Sequence, residues 1–403
     1  MSKAPLCGFS YNMVMPTVVV YRSFLLPRSE TFIKAQVNSY QRWRAILLGR
    51  RLSHELSLEG LDVRTLEGEN PSKLMRALLR LRLAFGNSPD VSSLARESVD
   101  LLHAHFGLDG IEAAPIARAL GIPLIITLHG YDINIHAQWW HQGKGGWLMR
   151  RYPERLIRLA QGDDVHFVAV SDAIKQRAIA FGIPEQKLTV KYIGVDRSKF
   201  RPGNVPVSKR ARRVLFVGRL VEKKGCEYLI RAMQIVGRAV PGAELTIVGE
   251  GPLRAALEAL VAALDVKATF KGFRSSVEVR QELDAARVFC LPSITAENGD
   301  AEGLGIVLLE AQSSGVPVIT SRFTGRHEGV AHGQTGFAFP ERDVDELAAK
   351  LTQVLLDDVL ADSMSTAGPV FVAQKFDIEC CTRDLELLYD SVHESFSGSR
   401  RAG

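Results

Sequence analysis

ARVFCLPSITAENGDAEGLGIVLLEAQSSGVPVIT, residues 286–320, passes through a strand, a loop, a helix and a second strand. VFCL is a short apolar run stopped by a proline, the length of a buried strand. After the loop ITAENGDAEG a helix is expected over about 304–314. Gly315 is a natural stop, because glycine tolerates the left-handed conformation at a helix C-terminus. GVPVIT then reads as a strand again. Strand, helix, strand is the unit of a parallel sheet.

The alternation extends in both directions. TVVVYR (17–22), LLHAHFG (101–107), IPLIITLHG (122–130) and VHFVAVS (165–171) read as strands separated by helical stretches. Around YIGVDRSKFRPG (192–203) the chain turns to glycine, proline and turn residues, then to basic SKRARR, and a domain boundary is placed there. RVLFVGR, AELTIVGEG and ATFKGF open a second series that leads into the quoted stretch. The expected class is α/β, with two Rossmann-like, doubly wound parallel-sheet domains facing a cleft. The expected spans are 1–200, 201–371 and a final helix with tail over 372–403, whose apolar positions are Cys381, Leu385, Leu388 and Val392.

The totals agree. A chain of 403 residues suits two domains of about 200 each. With 46% hydrophobic and 24% charged residues it reads as a soluble globular protein, apart from the ends MSKAP and SFSGSRRAG. No apolar run approaches the ~18 residues of a membrane span, and no signal-peptide layout opens the chain. Five scattered cysteines without a CxxC argue for a reducing cytosol, no disulfide framework and no zinc site. Residues 1–200 carry 26 Lys/Arg against 18 Asp/Glu, whereas the remainder carries 24 against 27. The basic half favours an anionic surface or partner, although solvated charged faces explain it equally well. Nucleic acid is disfavoured because stacking aromatics are not interleaved with the basic residues.

Three loops of the second half suit phosphate and sugar. In the quoted stretch, Gly303 and Gly305 let the backbone approach a ligand, and the first helical amides favour an anion. Glu302 and Glu310 stand eight apart, too far to share a proton or a metal, and suit hydroxyls of two parts of an extended ligand. An ordinary loop Glu and helix Glu fit the spacing too, but Glu310 lies in an apolar helix, where a carboxylate needs a partner. In VLFVGRLVEKKG (214–225), Gly218 turns the chain, and Arg219 and Lys224 offer cations for a diphosphate; the competing reading is a solvated loop. In LTIVGEGPLR, Gly249 and Gly251 begin like a dinucleotide fingerprint, but Arg254 fills the third glycine position. FKGF, ending at Phe273, can present backbone to a base. His129 ends a first-half strand, where it faces the cleft; His103 reads as a packed histidine. The only DxD, Asp343-Val344-Asp345, reads as a helix cap with Glu346 rather than a metal dyad.

In this order YIGVDRSKF, FVGRLVEKKG, VGEGP, FKGF, the quoted stretch and GQTGFAFPERDVDELA resemble the retaining glycosyltransferases of family four, which have the two-domain GT-B fold. FLLPRSETFI (24–33) and HAHFG are similar to the branch that builds bacterial exopolysaccharides such as colanic acid and amylovoran. The resemblance implies that Arg219 and Lys224 bind the donor diphosphate. Glu302, His129 and the amides of Gly303, Leu304 and Gly305 would meet the sugar and phosphate, and Glu310 the ribose. It also implies a last helix that crosses back to the first domain. One departure stands out: RSFLLPRSETF (22–32) replaces a glycine-rich loop after the first strand. Arg28, Ser29 and Glu30 there, with His105 and Asp132, are candidates for the acceptor or the cleft wall.

The expected reaction moves a hexose from a UDP- or GDP-linked donor to a saccharide hydroxyl without metal or cofactor. The expected acceptor is carried on a polyprenyl diphosphate at the inner face of the cell membrane. SKLMRALLRLRLAF (72–85) can lie on an anionic membrane, with Leu74, Leu78, Leu81 and Phe85 on one side and Lys73, Arg76 and Arg80 on another. A core-packed helix with a basic outer face fits the same pattern. A GT-B epimerase or phosphorylase, or a non-catalytic sugar-binding subunit, remains the alternative.

Overall fold

The computed structural model describes residues 15–53, 55–68, 71–322 and 328–402; MSKAP and Cys7 lie outside them. The first sheet has seven parallel strands, β1 (Thr17–Leu25), β2 (Arg44–Leu52), β3 (Asp62–Thr65), β4 (Leu101–His105), β5 (Leu124–Leu128), β6 (Val165–Ala169) and β7 (Leu188–Val190), in the order β3-β2-β1-β4-β5-β6-β7. The second has six, β8 (Arg213–Val217), β9 (Glu244–Val248), β10 (Ala268–Gly272), β11 (Val288–Leu291), β12 (Val318–Arg322) and β13 (Gly336–Pro340), in the order β10-β9-β8-β11-β12-β13. Central strands such as Val18–Tyr21 and Val288–Leu291 are buried on both faces, as strands covered by helices must be. Both sheets reverse direction of growth at one place, β1/β4 and β8/β11. Loops diverge there and leave a crevice at the carboxyl ends.

Six helices place the site: α1 (Lys73–Ala84), α2 (Gly107–Leu120), α3 (Tyr152–Leu159), α4 (Ile306–Ser313), α5 (Val344–Leu356) and α6 (Ile378–Ala402). The helix expected from 304 begins two residues later, behind Gly305 at φ 72°. Gly315 does end it in the left-handed region, at φ 69°. Asp343 caps α5, its carboxylate accepting from the Glu346 amide at 2.9 Å. The tail expected to lack structure instead continues α6 as far as Ala402. Buried Leu385 and Tyr389 of α6 pack with Val18, Val20 and Leu101 of the first sheet.

The chain passes between the sheets twice, side by side. The Val195 amide donates to Phe376 O at 2.8 Å, and the Ile378 amide to Val195 O at 3.2 Å. A Cβ on Gly194 would stand 2.3 Å from the Ile378 Cα, so only glycine lets the two backbones touch. On the flank of the first domain, α1 buries Leu83 but turns Leu74, Leu78, Leu81 and Phe85 outward, with Leu78 55% and Phe85 70% exposed. The core-packed alternative for this apolar row therefore does not hold.

Candidate active site

The carboxyl ends of both sheets face one cavity of about 1800 Å³. Its second-domain wall is built at the β8/β11 reversal. Gly218 and Arg219 leave β8, a short 3-10 turn carries Lys224, and the loop after β11 carries Glu302. Lys224 and Glu302 form an ion pair inside the cavity, and Lys223 pairs with Asp300 at 3.0 Å. The Ser293 hydroxyl stands 3.5 Å from Glu302. Arg219 also lines the cavity and is exposed; among the described residues its guanidinium has no ion-pair partner. Beside these charges α4 begins with no side-chain cap, and Leu304, Gly305 and Ile306 border the cavity. Its opening amides are thus available to an anion.

Glu310 stands one turn further along α4 and faces the same cavity. Among the described residues no donor reaches its carboxylate, and burial pushes its pKa up to about 7. The residue is half-buried, and its carboxylate faces the open cavity, where donors of a ligand can reach it. Gly249 follows β9 at φ 139°, and a Cβ there would lie 1.9 Å from the Gly218 carbonyl. Two strand ends consequently meet backbone to backbone under the cavity. Phe273, half-exposed after β10, also borders it.

The first-domain wall carries His129, Arg28 and Glu30. The His129 ring stacks on Phe106, with centroids 4.3 Å apart, and its Nε2 is 3.1 Å from Nδ1 of His105. Burial first, then the positive charge of Arg22, pushes its pKa down to about 3, so the ring is neutral at physiological pH. His103 sits behind, packed as expected, hydrogen-bonded to the Tyr389 hydroxyl at 2.5 Å and to the Thr127 hydroxyl at 2.7 Å. Arg28 reaches across the cleft, its guanidinium 4.9 Å from the Phe273 ring centroid. Ser29 lies in the 3-10 turn beside it.

The floor of this wall escaped the sequence reading. Arg22 donates to both oxygens of Glu30 and, at 2.5 Å, to Asp109. Arg50 donates to Glu112 at 2.8 Å, and the Tyr21 hydroxyl to the other Glu112 oxygen at 3.0 Å. All but Tyr21 border the cavity. A signal existed: Asp109 and Glu112 are two acids three apart in a helix whose only other charged residue is Arg118 near its end, hence on one face.

Gly251, Gly303, His105 and Asp132 do not border the cavity. Gly251 packs on the Leu220 backbone. Gly303 leaves room for the His129 carbonyl, which would stand 2.2 Å from an added Cβ, while its own carbonyl accepts from Ser171 Oγ at 2.9 Å. The two domains thus touch at Gly303. His105 supports His129 from behind. Asp132 is buried and accepts from the amides of Gly107 (3.0 Å), His129 (3.1 Å) and Gly130 (2.8 Å), which fixes the turns after β4 and β5. Asp132→Ala should leave these three buried donors without their acceptor. We expect a loss of about 3 kcal/mol, at ~1 kcal/mol or more per orphaned donor, read from denaturant unfolding.

Comparison with known proteins follows this layout. Residues 199–370 match the family model described as Glycosyl transferases group 1, and residues 41–199 match Glycosyltransferase Family 4. The chain is 31% identical over 299 residues to the putative colanic acid biosynthesis glycosyltransferase WcaL of Salmonella typhimurium, covering 73% of this chain and 71% of that one. It is 31% identical over 286 residues to the amylovoran biosynthesis glycosyltransferase AmsK of Erwinia amylovora, covering 70% and 66%. The crystal structure of Anabaena Alr3699/HepE in complex with UDP and glucose superposes with a TM-score of 0.73 at 19% identity, covering 93% of this chain and all of that one. The expected two-sheet GT-B architecture and the kinship with colanic acid and amylovoran enzymes are both borne out. Among the described residues no helix is long and apolar enough to cross a membrane.

Proposed function

The chain belongs to the family 4, group 1 glycosyltransferases, and from that membership we propose that it transfers a hexose from a nucleoside-diphosphate sugar to a saccharide hydroxyl with the anomeric configuration retained. The product is an exopolysaccharide or another cell-surface glycan. One observation carries the reading: Arg219, the Lys224–Glu302 pair, the uncapped start of α4 and Glu310 all open into one cavity between the domains.

The diphosphate of a UDP- or GDP-linked donor lies against Arg219, Lys224 and the α4 amides. The ribose hydroxyls donate to Glu310, the base rests near Phe273, and the hexose sits between Glu302 and His129. The bond from the anomeric carbon to the diphosphate oxygen breaks as the acceptor oxygen bonds to the same face of that carbon. The acceptor proton passes to the departing phosphate oxygen. Two cations and a helix start absorb the developing charge, so the step calls on no metal and no further cofactor; catalysis is electrostatic preorganisation with water shut out. Neutral His129 fits a place beside a carbon gaining positive charge, where an imidazolium would oppose it.

The acceptor sugar would lie on the Arg22, Asp109 and Glu112 floor. Its carrier is a polyprenyl diphosphate, and the enzyme works as a peripheral protein on the inner face of the cell membrane. The outward apolar row of α1 and the basic charge around it support that placement. A panel of UDP- and GDP-hexoses, offered with lipid-linked oligosaccharide acceptors, tests the reading by NMR of the product. We expect a retained anomeric centre and undiminished turnover in chelator. An inverted centre, or activity abolished by chelation, would overturn the mechanism.

A further inference from the structure

A second concavity, of about 400 Å³, lies on the outer flank of the first domain between the end of α1, α2 and α3. Its walls carry Arg118, Arg151, Arg155 and Arg158. Among the described residues none of these four side chains has an ion-pair or hydrogen-bond partner. One acid, Glu154, also lines the hollow; it accepts from His141 at 2.7 Å and feels the charge of Arg151, so the wall keeps an excess of three positive charges. The half-buried arginines on the cavity floor differ, for Arg22 and Arg50 each face carboxylates. Four guanidinium groups round one hollow repel each other, and half-buried Arg155 has only the more distant charge of Glu112 to offset its desolvation. Such a set suits phosphate oxygens, for which the guanidinium fork is shaped.

The floor is not polar. Ile111, Pro115 and Leu159 line it, and exposed Phe85 stands at the rim. Cationic walls over an apolar floor fit an amphiphile better than a free ion. Position points the same way. Ala84 borders both this hollow and the catalytic cavity, and α1 runs between them with its apolar row outward. Trp147, 68% exposed, stands on the rim of the catalytic cavity.

We propose that this hollow seats the phosphate headgroup of an anionic membrane phospholipid, so that α1 and Trp147 enter the interface and the cleft opens at the membrane surface. The inference rests on the glycosyltransferase reading only for choosing a lipid over free phosphate. The test is flotation of the full-length chain with vesicles of phosphatidylglycerol and phosphatidylcholine, against vesicles of phosphatidylcholine alone. Arg155→Gln and the double variant Arg118→Gln/Arg158→Gln should each weaken binding to anionic vesicles, the double by at least ~10-fold, at about 1 kcal/mol per basic residue near the surface. Arg231→Gln/Arg238→Gln, an equal charge change on exposed positions of the second domain, should leave binding within twofold. Thermal unfolding and donor-nucleotide calorimetry should match wild type in every variant, which separates this site from the donor site. Equal losses in pocket and control variants would reduce the attraction to diffuse charge and overturn the proposal. So would inorganic phosphate that displaces the protein from vesicles at micromolar concentration, since the hollow would then hold the free ion.

Discussion

Lys224→Ala is expected to lower kcat at saturating donor by at least ~100-fold, the scale on which one preorganised electrostatic donor counts. Two effects add. The variant removes one of the two cations proposed to face the departing diphosphate, and with it the positive charge paired with Glu302 inside the cavity. Without the lysine charge the Glu302 side repels the diphosphate more strongly, so KM for the donor should rise as well. Lys224→Ala/Glu302→Gln separates the contributions. Taking away both charges should recover much of the donor affinity, because the repulsion is gone, but little of kcat, because the leaving group still lacks its cation. Steady-state kinetics on the three proteins decide it. Turnover near normal in Lys224→Ala would remove this lysine from the chemistry.

The same pair shows how far the sequence could be read. Each of these cavity residues follows an apolar strand in register with its sheet, so motif and fold come from one pattern: VLFVG ends β8 and delivers Arg219, and VFCL ends β11 and delivers Glu302. That Lys224 would meet Glu302 is not local information. They are 78 residues apart and are brought together because β8 and β11 are neighbours across the sheet reversal. The sequence reading lacks β2, whose apolar run AILL is too short to tell strand from helix, and it lacks β3 and β7, because sheet-edge strands are short and half-exposed, with no apolar run to mark them. β13 is buried, but Gly336 and Pro340 bracket it like a loop. The Arg22, Asp109 and Glu112 floor was hidden for another reason: its members satisfy one another, and mutual pairing across 87 residues leaves no unusual spacing in the chain. Asp132 was legible as a polar residue near the cleft, but its task of holding three amides depends on two turns converging.

Glu310→Gln is expected to weaken binding of the donor nucleotide by ~10- to 100-fold at pH 8, since hydrogen bonds to a charged group are worth ~1.5–3 kcal/mol. The same substitution should make the protein more stable at that pH. The sign follows from the pKa, which lies at about 7 in the folded protein against an ordinary 4.5, raised by burial. Below 4.5 the carboxyl is neutral in folded and unfolded chains alike, and it imposes no penalty. As pH rises from there, the unfolded chain sheds the proton first, and the folded state loses stability until the group ionises near 7. Above that the cost is constant and the anion is ready to accept ribose hydroxyls. Wild type should therefore bind donor about tenfold less tightly at pH 6 than at pH 8, as the anionic fraction falls by about that factor one unit below the pKa. The glutamine variant should lack this slope. Asp132, raised by burial to about 6, titrates in both proteins and cancels in the comparison. Calorimetry and thermal melts at pH 4, 6 and 8 supply the answer. A variant with wild-type donor affinity at pH 8 would place the ribose elsewhere; equal melting temperatures at pH 8 would mean that the free protein already gives this carboxylate a partner.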